Sequence, residues 1–307
     1  MEFRTHYDDD ESDNRTSFID LEEQYAYSLG VDIEKGEQIF GNNDKAFYKA
    51  EWIDGRGSPI VLIEKKRSRS SNEEIIFNIT LNHPHIIKTY GLVDPNDHWI
   101  QPNCVLLLQE YAKDRDLGSL LYEKHFVPTQ NVLVEIFIQI VDAMIYLSKH
   151  DVIHGDLACR NVLVFQTNPH DPKKNLVKLI DFGLTRNNSG SSHDQTVIPR
   201  RYAAPEILRS RGRSGYSEKS EVYSFGTLMW EACSFGEMPY KDIDNDDEVS
   251  REKLAGNRLT RPSKCDPNIW KLMQLCWNDQ PDNRPNFKTI HKQLKIIQNV
   301  ESSYPPS

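Results

Sequence analysis

The sequence predicts an α+β protein in two lobes, a small β-rich lobe carrying one helix and a larger, mainly helical lobe after it. Three observations carry this expectation. Strand-like runs broken by turn signals fill residues 31–66. Apolar positions at helical spacing dominate the later two thirds of the chain. The length of 307 residues exceeds what a single small core usually holds.

Residues 1–30 are expected to form an acidic, disordered tail with a short helix over 18–28. The first fourteen residues hold six acids against one arginine, more than half of the net charge of −9. Such a run is a solvated segment or a contact for a partner. GNND and DGRGSP mark turns between the strands that follow. SNEEIIFNITLN (71–82) reads as a helix with acids in its first turn, where the helix dipole favours them. KTYGLV and CVLLLQEY read as two further strands, so the small lobe is expected over about 31–110. The chain is expected to cross between lobes over Glu110–Leu117.

The large lobe is expected over about 118–300, with 301–307 as a tail. Residues 130–149 are apolar nearly all round, as in a buried helix. Residues 217–235 and 267–277 read as helices. Over 287–300, Phe287, Ile290, Leu294, Ile297 and Val300 recur at helical spacing and read as core. A cleft between two such lobes is a natural ligand site.

Composition narrows the function. Apolar residues make up 38% and charged residues 27%, an ordinary soluble balance. No apolar run reaches 18 residues and the N-terminus has no apolar signal core, so no membrane span is expected. Beyond the tail the chain is only mildly acidic, which argues against a nucleic-acid surface. The five cysteines are scattered, with no CxxC pair. They read as reduced thiols in a cytoplasmic setting.

The stretch VIHGDLACRNVLVF (152–165) carries the chemistry. Asp156 and Asn161 lie five residues apart between strand-like runs. A carboxylate can accept the proton of an attacking hydroxyl, and a nearby amide oxygen can hold a metal. A second carboxylate, Asp181, follows 25 residues later in LVKLIDFGLTR. Hard oxygen ligands, with phosphates filling the other positions, describe Mg²⁺ on a polyphosphate.

His154-Gly155-Asp156-Leu157-Ala158-Cys159-Arg160-Asn161 resembles the catalytic loop of the protein kinases, and Asp181-Phe182-Gly183 resembles their metal motif. Further resemblances come in order: His83-Pro84, Ala204-Pro205-Glu206, Ser224-Phe225-Gly226, and Arg284-Pro285 after Cys276-Trp277. Together they span about 31–298. The resemblance implies the bilobal kinase fold, with ATP and Mg²⁺ as cofactors. It implies Asp156 as base, Asn161 and Asp181 as metal ligands, and Lys65 with Glu74 as the pair positioning phosphates. Gly36 and Gly41 would approach the phosphates, Glu110 and Ala112 would offer backbone groups to adenine, and Leu163 would floor the ring. Gln109 would be the gatekeeper, and Arg284 would pair with Glu206.

The details are similar to the tyrosine kinases. Arg160 stands four residues after Asp156, and Ala158 replaces the Lys usual in serine/threonine kinases. Pro199-Arg200-Arg201-Tyr202-Ala203-Ala204-Pro205-Glu206 matches their segment, with Tyr202 in place of Trp. Protein substrates phosphorylated on tyrosine are therefore implied, with Arg160 close to the attacking side chain. Tyr202 leaves dual specificity open.

Four departures from the family matter. Gly155 stands where many members have an Arg that pairs with a phosphate on the activation segment, and residues 184–201 contain no Tyr. Switching by tyrosine phosphorylation there is not expected; the other reading is that Gly155 relaxes a turn. Glu221 replaces an Asp that supports the catalytic loop, which suggests a looser loop. In Gly36-Glu37-Gln38-Ile39-Phe40-Gly41 the middle glycine is Gln38, and Asn42, Asn43 and Asp44 lengthen the loop. A plain polar hairpin fits that stretch as well.

The fourth departure concerns the phosphate-binding lysine. It aligns either with Glu64, after Val61-Leu62-Ile63, or with Lys65, after Leu62-Ile63-Glu64. Side chains alternate along a strand, so only one of the two faces the cleft without a bulge. Lys65 there would pair with Glu74, with Glu73 as competitor. Glu64 there would set two acids near polyphosphate, at about 4 kcal/mol per like-charge contact near 4 Å and an effective dielectric of 20. The first register implies an active tyrosine kinase. The second implies a pseudokinase scaffold with weakened nucleotide binding.

Overall fold

The computed structural model describes residues 25–55, 57–187 and 197–302. Most of the expected acidic tail, and Ser189, Ser191, Ser192 and Thr196 of the activation segment, lie outside the described residues.

The small lobe is a six-stranded sheet with one helix. β1 (Tyr25–Ser28), β2 (Ile33–Gly41), β3 (Lys45–Trp52), β4 (Ile60–Lys66), β5 (Thr89–Asp94) and β6 (Cys104–Glu110) are ordered β1-β5-β6-β4-β3-β2. The expected helix over 18–28 is corrected for its described part: Tyr25–Ser28 pairs parallel to β5. Tyr27 packs edge-on against Trp52, and Trp52 against Tyr90, at 5.3 and 5.5 Å between ring centres. This aromatic contact suits a half-buried strand.

α1 (Arg69–Thr80) starts two residues before its expected position. Ser68 and Ser71 exchange side-chain-to-backbone hydrogen bonds in a reciprocal cap, so Glu73 and Glu74 lie past the first turn. β4 pairs with β3 and β6 without a bulge. Ile60 and Leu62 therefore join one apolar cluster while Val61 and Ile63 join another on the α1 side.

The large lobe is built on α3 (Gln130–Lys149), α5 (Glu218–Cys233), α7 (Pro267–Cys276) and α8 (Phe287–Ser302). α2 (Leu117–Tyr122), α4 (Pro205–Arg209) and α6 (Asp246–Leu254) are shorter. Among the described residues, α3 is the one helix with the length and apolarity of a membrane span, and it is the central core helix. Residues 111–116 connect the lobes between β6 and α2. Ile87 and Leu179 make a second link: the Ile87 amide donates to the Leu179 carbonyl at 2.9 Å, and the Leu179 amide to the His85 carbonyl at 2.9 Å. Lys178 adds an ion pair to Glu110 at 2.6 Å.

Candidate active site

The cleft between the lobes measures about 650 Å³. Val61, Ile63, Leu107 and Leu163 give it apolar walls, and Lys65, Glu74, Arg160 and Asp181 give it a charged end.

The charged end is positioned from below by β7 (Val152–Ile153) and the hairpin of β8 (Val162–Gln166) and β9 (Leu176–Leu179). Between β7 and β8 the chain turns through His154–Asn161. His154 is fully buried, with Nε2 donating to the Ile180 carbonyl at 3.0 Å and Nδ1 accepting the Asp156 amide at 3.3 Å. Asp156 is held on both oxygens: Oδ1 by Arg160, and Oδ2 by Asn161 Nδ2 at 2.8 Å. The same nitrogen reaches the Asp156 carbonyl at 2.7 Å. The guanidinium of Arg160 also stacks 5.0 Å from the Tyr202 ring centre. Asp181 adopts φ +64°, a strained backbone for a non-glycine residue, and its Oδ1 accepts the Gly183 amide at 3.1 Å.

Two acids of α5 hold this loop from beneath. Glu221 accepts the His154 amide at 3.1 Å and the Gly155 amide at 3.2 Å, one on each oxygen. Despite its extra methylene, the side chain reaches both amides. Burial pushes the Glu221 carboxyl up from the ordinary carboxylate range. Glu231 accepts the Cys159 amide at 3.0 Å. Tyr202, in place of Trp, meets this loop through the Arg160 guanidinium over its ring. Gly155 has φ +83°, and a Cβ there would lie 2.5 Å from the Leu184 carbonyl oxygen. The backbone path demands a glycine.

On the small lobe, Lys65 faces the cleft and ion-pairs with Glu74 Oε2. Burial chiefly pulls the lysine below its ordinary value, with Lys45 adding to it and Glu74 opposing. Glu64 faces away and is 2% exposed, accepting the Gln101 amide at 2.6 Å and Lys35 at 3.2 Å. Two acids therefore do not meet in the cleft through Glu64.

The remaining sequence-derived positions divide. Gly41, Glu110, Ala112 and Leu163 line the cleft; Gly36 does not, and its α-carbon faces the Lys49 carbonyl. Gln109, at the back, donates to Asn78 and Thr89, both at 2.9 Å. The β2–β3 turn is a closed hairpin in which Asn42 Oδ1 accepts the Asp44 and Lys45 amides, each at 2.9 Å. Arg284 pairs with Glu206 through two bonds of 2.7 and 2.9 Å. Sequence reasoning missed Glu231, Asn78 and Lys45, which carry no motif of their own. Only the packing of α5, of α1 and of β3 against β4 brings them in.

The family model for protein tyrosine and serine/threonine kinase matches residues 61–294. The chain is similar to the tyrosine-protein kinase Btk of Drosophila melanogaster, 34% identical over 230 residues that cover 73% of this chain and 27% of that protein. It is similar to the human tyrosine-protein kinase Fer, 36% identical over 220 residues, 70% of this chain and 25% of Fer. Mouse protein-tyrosine kinase 6 is 37% identical over 227 residues, 72% of this chain and 46% of that protein. The chain thus spans about a quarter of the length of the first curated relatives it matches.

Proposed function

The chain belongs to the protein tyrosine and serine/threonine kinase family, and on that premise we propose that it transfers the terminal phosphoryl group of ATP, with Mg²⁺, to tyrosine side chains of proteins. The observation that supports this most is the convergence at one end of the cleft of Asp156, Arg160 and Asn161 from the large lobe with the Lys65–Glu74 pair from the small lobe.

Asp156 takes the proton of the tyrosine hydroxyl. The phenolic oxygen bonds the γ-phosphorus, the bond from that phosphorus to the β-phosphate oxygen breaks, and ADP leaves. Asn161 sets the Asp156 carboxylate and Arg160 shares its charge. Arg160 also reaches the Tyr202 ring, placing a planar cation where a phenol would enter. Lys65, positioned by Glu74, holds phosphate oxygens. Ala112 offers its backbone to adenine over the Leu163 floor.

The donor set fits magnesium. Among the described residues no three His, Cys, Asp or Glu side chains converge on one metal position. Asn161 spends its amide nitrogen on Asp156, which leaves its oxygen, and the Asp181 carboxylate lines the cleft. Two hard oxygen donors completed by phosphates are what Mg²⁺ takes. When bound, the ion neutralises charge on the phosphates.

Tyrosine preference is supported by Ala158, Arg160 and Pro199, and by the tyrosine kinases among the relatives. The chain's five free cysteines suit a cytoplasmic setting. A second reading, a pseudokinase scaffold, is favoured by Gln38 and by the closed β2–β3 turn, in which the amides of Asn42, Asp44 and Lys45 are spent within the turn. Incubation with labelled ATP, Mg²⁺ and a mixed Tyr/Ser/Thr peptide pool separates the two. Label on tyrosine that falls at least about 1,000-fold in Asp156→Asn is expected, since that change removes the base while leaving the binding groups. Wild-type label no greater than that of Asp156→Asn would leave the scaffold reading.

A further inference from the structure

Resting on the kinase reading above, we propose that Lys45 is a second phosphate-binding cation, which holds the nucleotide polyphosphate beside Lys65 in place of loop amides that the β2–β3 turn keeps for itself.

Lys45 is the first residue of β3 and lies directly opposite Lys65 of β4 in an unbroken antiparallel register. Directly paired residues on neighbouring strands project to the same face of the sheet. Both ammonium groups accordingly converge on Glu74, Lys65 on Oε2 and Lys45 at 3.7 Å from Oε1. One carboxylate cannot neutralise two lysines. With Lys65 closely paired and Lys45 only loosely held, the surplus positive charge at this end of the cleft belongs to Lys45. The carboxylate of Asp181 faces the same space and is the one assigned to the metal.

The lysine is also free to act. Its side chain is 28% exposed, and it lines both the nucleotide-sized cleft and an adjoining bay with Lys66 and Arg67. Its ammonium lies 5.0 Å from the Phe47 ring centre, and Phe47 stacks on Phe40 at 4.0 Å. The hairpin that carries it is thus braced.

The need for it comes from the same hairpin. The Asn42 amide donates to the Lys45 carbonyl at 2.8 Å, and the amides of Asp44 and Lys45 donate to Asn42 Oδ1. Three donors of the loop are committed, and Gln38 replaces the middle glycine that would let backbone come close. A lysine ammonium supplies a charged donor where neutral amides are spent, and charge-assisted bonds are roughly twice as strong as neutral ones. The proximity of Lys45 also helps to lower the proton affinity of Lys65. That penalty is relieved when a polyanion enters between the two.

Calorimetric titration of the whole chain with ATP, ADP and adenosine in Mg²⁺ buffer tests this. Wild type, Lys45→Met, Lys45→Arg and Lys65→Met are compared. Lys45→Met is expected to weaken ATP about tenfold while leaving adenosine unchanged, with Lys45→Arg recovering most of the loss. Lys65→Met is expected to keep some preference for ATP over adenosine. An ATP preference that survives Lys45→Met intact overturns the proposal alone. Equal loss of ATP and adenosine overturns it too, by assigning Lys45 to the shape of the cleft. Wild-type protein that binds ATP no better than adenosine sinks the kinase reading and this proposal together.

Discussion

Gly155 illustrates how one residue is chosen by its backbone. Its amide is taken by Glu221, its φ is +83°, and the Leu184 carbonyl oxygen occupies the place of a side chain. An arginine here, as in many kinases, would meet that carbonyl. The glycine is therefore tied to the route by which the activation segment leaves Asp181, in addition to removing a cation that could bind a phosphate. Gly155→Ala should cost at least about 1–2 kcal/mol from the left-handed conformation alone, and more from the overlap. A lowered urea midpoint with an unchanged slope is the expected measurement. Unaltered stability would mean that Leu184 gives way freely.

At the scale of elements, the alternation of β4 decides the polarity of the cleft. Lys65 follows Val61 and Ile63 toward α1, while Glu64 follows Ile60 and Leu62 away from it. Burial, reinforced by Lys45 and opposed by Glu74 and Asp181, lowers the Lys65 value from its ordinary 10.5. The folded protein then binds this proton less readily than the unfolded chain does. The stabilising contribution is complete above 10.5 and is lost as pH falls through the lowered value. Across that alkaline window, wild type should gain stability relative to Lys65→Met as pH rises, followed by urea unfolding at several pH values. A pH-independent difference would remove this account. α5 shows the same economy of placement. Glu221 and Glu231, about three turns apart on one helix, hold the two ends of the catalytic loop.

At the scale of the molecule, Arg284 joins parts of the large lobe that are distant in sequence. Its side chain has no exposure. It pairs with Glu206 of α4, reaches the carbonyls of Asn278 and Lys219, and lies 5.1 Å from the ring centre of Tyr223. The end of the activation segment, α5 and the loop before α8 meet on this one guanidinium. Arg284→Met leaves Glu206 without its charge partner and should cost about 3–5 kcal/mol, read from chemical unfolding. Removing both charges in Arg284→Met with Glu206→Leu should recover part of that loss, because the stranded carboxylate is then gone. A double variant no more stable than the single one would place the cost in packing instead.

Local signals carried much of this protein. The helical period of residues 130–149, 217–235 and 267–277 marks α3, α5 and α7 to within two residues, because a buried stripe repeats within a few turns of one segment. The order of HGDLACRN, DFG and APE pointed to the family, because those residues lie close together along the chain. Tertiary structure decided the rest. Tyr25–Ser28 is a strand only because β5, more than sixty residues on, supplies its partner. Lys65 rather than Glu64 faces the cleft because β3 and β6 lock the register of β4. Lys45 enters the site through that same register. A strand's hydrogen bonds and the direction of its side chains are settled by its neighbours, and those neighbours are distant in sequence.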